Sequence, residues 1–82
     1  MKIRLFFKPS CPWCHEAFDW FASRNLSYEG VNVSADPAAF EEMRRLTGQG
    51  KVPSVEIDGK ILADFDTGQL EQWWRQQGLP PV

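Results

Sequence analysis

The stretch Lys2-Ile3-Arg4-Leu5-Phe6-Phe7-Lys8-Pro9-Ser10-Cys11-Pro12-Trp13-Cys14 decides the architecture. From Lys2 to Phe7 charged and apolar residues alternate and then give way to a wholly apolar run, which predicts a strand entering the interior of a sheet. Pro9 and Ser10 interrupt it. Pro12 has the fixed φ that suits a first helical position, and Cys14, Ala17, Phe18, Phe21 and Ala22 then recur at helical spacing as far as Asn25. A strand thus passes through a tight turn into a helix, and a cysteine stands at each end of that helix's first turn.

Working outward, Leu26 to Val33 alternates with period two and predicts a second strand, laid beside the first by a βαβ crossover. Asp36-Pro37 reads as an N-cap followed by proline at the first helical position. Phe40, Met43 and Leu46 give the helix its apolar stripe, and Gly48 ends it. Beyond the loop Gly48-Gln49-Gly50-Lys51, the runs Pro53–Ile57 and Lys60–Ala63 flank Asp58-Gly59, a hairpin signal because a type I′ turn needs positive φ at both central residues. Asp66 followed by Gln69 matches a capping box. It opens a last helix with Leu70, Trp73 and Trp74 on its apolar side, closed by Gly78 and Pro80. The order β-α-β-α-β-β-α predicts an α/β fold, a four-stranded mixed sheet flanked by three helices on its two faces.

A chain of 82 residues supports one domain, spanning 1–82. With 43% hydrophobic and 24% charged residues it falls among globular rather than disordered sequences. Net charge is −2 and the basic residues are scattered, which argues against a nucleic-acid partner. Lys2, Arg4 and Lys8 break the N-terminal apolar run too early for a signal peptide or membrane span, so the cytosol is the expected location. The two cysteines form one Cys-x-x-Cys. A disulfide across so short a loop adds little stability, and in a reducing compartment such a pair serves catalysis or metal binding.

Disulfide exchange needs a thiolate, and an ordinary cysteine is mostly protonated at neutral pH. Cys11 lies just before the helix, where the unpaired N–H groups of Trp13 and Cys14 can point at its sulfur and favour the charged form. Cys14, one turn inside the helix, is placed to attack a mixed disulfide formed at Cys11. Cys11 therefore reads as nucleophile and Cys14 as resolver. Two rival readings share the motif. With His15 it spells Cys-Pro-Trp-Cys-His, a haem-attachment pattern, but a tight strand-to-helix turn leaves a porphyrin little room. Zinc would need further ligands, and the chain has no third cysteine and no second histidine. His15 itself is expected to face solvent, and Trp13 to form an exposed apolar platform beside the cysteines.

Lys8-Pro9-Ser10-Cys11-Pro12-Trp13-Cys14, Thr47-Gly48-Gln49-Gly50-Lys51-Val52-Pro53, and Asp58-Gly59 followed by Phe65-Asp66 together resemble the glutaredoxin family of the thioredoxin superfamily. The resemblance implies a thioredoxin-like fold and a thiol–disulfide oxidoreductase that reduces protein or glutathione mixed disulfides by dithiol exchange through Cys11 and Cys14. It implies a monomer with no bound cofactor or metal, regenerated by glutathione or by thioredoxin reductase. It also implies that Pro53 is cis and faces the cysteines, and that the backbone of Val52 pairs with the substrate as an added strand. Lys8 then supplies a cation for a glutathione carboxylate, and Pro12 and Trp13 flank the nucleophile. Lys51 stands where the family usually has Thr. Phe65 and Asp66 stand where N–H groups at the last helix's start receive a γ-glutamyl carboxylate.

One segment departs from the family. Leu62-Ala63, followed by Asp64, occupies the place of a Gly-Gly pair, which restricts close approach of the backbone to a ligand and adds a negative charge. Two alternatives remain: a dimeric iron–sulfur carrier ligated by Cys11 and glutathione thiols, and a redox-silent module binding through Trp20, Trp73 and Trp74.

Overall fold

In the computed structural model, which describes residues 1–81, Asp58 and Gly59 have φ of 49° and 85°, the paired positive values of the expected hairpin turn. That turn joins β3 (Ser54–Ile57) to β4 (Lys60–Ala63). The remaining elements are β1 (Ile3–Phe7), α1 (Pro12–Ser23), β2 (Glu29–Asn32), α2 (Pro37–Thr47) and α3 (Thr67–Gln76). The strand order is β2-β1-β3-β4. β1 runs parallel to β2, with Leu5 opposite Gly30, and antiparallel to β3, with Leu5 opposite Val55. This is the mixed sheet that a crossover followed by a hairpin requires.

The sheet is covered on both faces, which explains why β1 stops alternating at Leu5-Phe6. Ile3, Leu5, Val55 and Ile57 pack with Ala17, Trp20 and Phe21 of α1 and Leu70, Trp73 and Trp74 of α3. Phe6 and Val33 pack with Ala39 and Met43 of α2. The helix ends follow local chemistry. Asp36 accepts the Ala38 N–H at 3.0 Å, and Gly48 closes α2 at φ 75°. At α3, Asp66 Oδ1 accepts the Gln69 N–H at 2.8 Å while Gln69 Oε1 accepts the Asp66 N–H at 2.9 Å.

Three expectations need correction. The second strand is shorter than Leu26–Val33. Asn25 turns at φ 55° and the Leu26 N–H reaches back to the Phe21 carbonyl at 3.0 Å, so Leu26 and Tyr28 pack on the core as loop residues. Pairing starts at Glu29, opposite Arg4. On α1 the buried stripe includes Trp20 while Ala22 is exposed, because α3 lies alongside and the Trp74 ring meets that of Trp20 at 5.5 Å. On α2, Ala39 is buried and Leu46 exposed, since Leu46 lies one turn past the contact with Phe6 and Val33.

On the α2 face, Arg4 ties three elements together. Its Nε donates to Glu56 Oε1 at 2.7 Å, and Nη1 and Nη2 donate to the Glu42 carboxylate at 3.0 and 3.1 Å. Hydrogen bonding from Arg4 holds the Glu42 carboxyl below its ordinary titration range. A carboxyl that titrates lower folded than unfolded stabilises the fold above its unfolded pKa and loses that effect as pH falls through its folded pKa. Glu42→Gln is therefore expected to cost under about 1 kcal/mol at neutral pH, because Glu42 is partly exposed, with the deficit vanishing in acid. Urea midpoints at pH 7 and pH 3 check this; an equal deficit at both would exclude the charge as its cause.

Candidate active site

The turn between β1 and α1 is closed by the Cys11 N–H, which donates to the Lys8 carbonyl at 3.1 Å. Cys11 is the N-cap of α1, with extended backbone (φ −89°, ψ 113°), and Pro12 begins the helix. The Cys11 sulfur takes the role that a serine or aspartate oxygen usually has at such a cap: it accepts the Cys14 N–H at 3.2 Å. Two N–H groups were expected at this sulfur, but Trp13 supplies none. An N-cap side chain accepts from the second or the third helical residue, and at Cys11 it is the third, Cys14, that donates.

Cys14 is fully buried and Cys11 half-buried. Burial, reinforced by hydrogen bonding with Cys11, pushes the Cys14 thiol up to about 12, with the backbone and ammonium of Lys8 opposing only in part. Across the neutral range Cys14 therefore keeps its proton beside a more accessible Cys11 sulfur. Both thiols are free.

The Val52–Pro53 peptide is cis, and the Cys11 thiol points at the Val52 carbonyl at 3.8 Å. A polar knot positions this turn. Ser54, wholly buried, donates through Oγ to the Lys51 carbonyl at 3.0 Å and accepts the Asp64 N–H at 3.4 Å. Gln49 Nε2 donates to the same Lys51 carbonyl at 3.2 Å while its Oε1 accepts the Lys51 N–H. Sequence reasoning missed Ser54 and Gln49. The available signal was a hydroxyl at the start of the strand, in alternation with Glu56 and next to the apolar Val55, which has to find a partner when buried.

The family model for glutaredoxin matches residues 3–62, which takes in β1, α1, both cysteines, the cis turn and most of β4. The chain belongs to the glutaredoxin family. It is 36% identical over 70 residues to an uncharacterized glutaredoxin-like 8.6 kDa protein in the rubredoxin operon of Clostridium pasteurianum, covering 85% of this chain and 93% of that one. Glutaredoxin 3 of Escherichia coli is 28% identical over 65 residues, 79% of this chain and 78% of its own length. In three dimensions the chain superposes on the glutaredoxin-like NrdH-redoxin of Escherichia coli with a TM-score of 0.78 at 23% identity, covering 100% of this chain and 99% of that one. The fold is thioredoxin-like, and the protein is a glutaredoxin-like thiol–disulfide oxidoreductase.

In this glutaredoxin a groove beside Cys11 is lined by Trp13, Val52, Pro53, Asp64, Phe65, Asp66 and Gln69. Trp13 is 55% exposed and forms one wall. Lys8 extends its Nζ over the Phe40 ring at 5.9 Å, and Lys51 is exposed with its backbone held by Gln49. Phe65 is a core residue whose N–H donates to the Pro53 carbonyl at 3.3 Å, so it serves the groove from beneath. At Phe65 and Asp66, where N–H groups were expected to receive a carboxylate, the Phe65 N–H is taken by the Pro53 carbonyl and the Asp66 N–H by Gln69 Oε1. His15 is exposed as expected, and its Nε2 contacts the Pro9 carbonyl at 2.7 Å; since a carbonyl only accepts, that nitrogen carries the proton. Among the described residues no three His, Cys, Asp or Glu side chains cluster as a metal site, and no helix is long and apolar enough to cross a membrane.

Proposed function

We propose that this glutaredoxin reduces protein disulfides by dithiol exchange in the cytosol, with Cys11 as nucleophile and Cys14 as resolver. The observation that carries the reading is the environment of the Cys11 sulfur, which lies between the Cys14 N–H at 3.2 Å and the Val52 carbonyl at 3.8 Å. The Cys11 thiolate attacks one sulfur of the substrate disulfide and releases the other as a thiol, forming a mixed disulfide. Cys14 attacks the Cys11 sulfur and its proton passes to the departing substrate sulfur, which releases the second substrate thiol and leaves a Cys11–Cys14 disulfide. Two electrons have then passed to the substrate. The backbone at Val52 offers main-chain hydrogen bonds to an extended substrate, with Pro53 below and the Trp13 face alongside.

For the reductant, the groove favours a thioredoxin-reductase-type flavoprotein over glutathione. The α3 N-terminus, where a γ-glutamyl carboxylate would sit, is capped by the chain's own Asp66–Gln69 pair, and Asp64 adds a further carboxylate. The fold's likeness to NrdH-redoxin, a protein described as having a thioredoxin-like activity profile, is consistent with this reading. Lys8, with its Nζ over the Phe40 ring, retains the cation role that the family resemblance implies. The oxidised protein is expected to be reduced at least about tenfold faster by NADPH with thioredoxin reductase than by millimolar glutathione, followed by quenching of tryptophan fluorescence or by thiol counting. Faster reduction by glutathione would reverse the choice of reductant, and colour after anaerobic iron and sulfide reconstitution with glutathione would favour the cluster carrier.

A further inference from the structure

The charged residues lining the groove beside Cys11 are both acidic: Asp64 and Asp66 line it with Trp13, Val52 and Pro53. The two carboxylates are not equivalent. Asp66 spends Oδ1 on the Gln69 N–H and so belongs to the helix cap. The Asp64 carboxylate has neither a hydrogen bond nor an ion pair among the described residues, and it is exposed. Its backbone is fixed nonetheless: the N–H is bonded to buried Ser54 Oγ at 3.4 Å, and φ is 52°. Asp is one of the few residues besides glycine that accepts such a φ readily. A fixed, unpartnered charge on the wall of a reaction groove acts on whatever occupies the groove.

We propose that Asp64 is a specificity-determining residue that selects disulfide substrates carrying a cationic side chain next to the reacting cysteine. The proposal rests on the dithiol-exchange reading and adds the substrate class. Charge at the groove wall acts on the encounter and on the mixed-disulfide geometry, and it leaves the sulfur chemistry to Cys11 and Cys14.

The test uses the pre-reduced full chain in single-turnover reduction of short disulfide peptides, monitored by loss of an internal quencher. Pairs of probes differ only in Lys or Glu at one flank of the cysteine, with the preceding and following flanks tried separately. At one flank the second-order rate constant should favour Lys by about fivefold at low ionic strength, falling towards parity in ~0.5 M salt. Asp64→Asn, which keeps the left-handed backbone accessible, should reduce that ratio to below about twofold, and Asp64→Gly should do the same. Asp58→Asn, which removes the same charge at the distant β3–β4 turn, should leave the ratio as it is. A ratio near one at both flanks in the unaltered protein, or a ratio that survives Asp64→Asn, overturns the proposal. Failure of the unaltered protein to reduce any probe, including one with neutral flanks, overturns the dithiol-exchange reading itself, and this outcome is distinct from reduction without charge preference.

Discussion

Replacing Cys11 with serine is expected to lower disulfide reduction by at least about a thousandfold, because a hydroxyl at this site is neither ionised at neutral pH nor able to form a disulfide. Replacing Cys14 should have a different effect. The hydrogen bond at the Cys11 sulfur comes from the backbone N–H of Cys14, at 3.2 Å, so Cys14→Ser leaves the nucleophile's cap in place. That variant should complete the first attack and then stop, accumulating a mixed disulfide with a protein substrate. It should still exchange with glutathionylated substrates when an external thiol resolves the adduct. Mass spectrometry of the quenched single turnover reads both results. A trapped adduct in Cys11→Ser but none in Cys14→Ser would reverse the two roles, and turnover by Cys11→Ser within tenfold of the unaltered protein would remove the cysteine from the mechanism.

What could be read from the chain alone was what local chemistry controls. Asp58-Gly59 determines its turn through the backbone of two residues, and Asp36 and the Asp66–Gln69 pair cap helices from within one turn, so all three agree with the structure. The errors lie where distant packing decides. Trp20 rather than Ala22 is buried because α3 approaches α1 from that side, and Leu46 is exposed because α2 extends past its contacts on the sheet. Neither fact is contained in a helical period. The site divides in the same way. Cys11 and Cys14 stand out by motif and spacing, whereas Ser54, Gln49 and Asp64 meet through hydrogen bonds among three chain segments. Asp66 shows the two levels in competition: its capping box was legible, and the occupied N–H groups that follow from it oppose the carboxylate-binding role the family resemblance implies.

Phe21→Ala is expected to cost about 3–5 kcal/mol, the range for removing a fully buried aromatic side chain. Phe21 has no exposure to solvent, and its ring lies 5.2 Å from Trp20, 5.4 Å from Tyr28 and 6.5 Å from Trp74. It therefore contacts its own helix, the loop before β2 and α3 at once, and the vacated space borders three elements that cannot all close on it. A domain of this size has only about 5–15 kcal/mol of total stability, so the variant should retain little reserve. Phe21→Leu, which keeps most of the volume, should lose about 1–2 kcal/mol. Urea denaturation followed by circular dichroism checks both: the midpoint should fall with an unchanged slope, and a loss below about 1 kcal/mol for Phe21→Ala would mean that the three elements are held together by other contacts. The consequence for catalysis is indirect. Phe21 lies in the half of α1 remote from the cysteines, while the cap at Cys11 depends on the first turn alone, so Phe21→Leu should reduce disulfides at nearly the normal rate per folded molecule even as the folded fraction becomes easier to deplete.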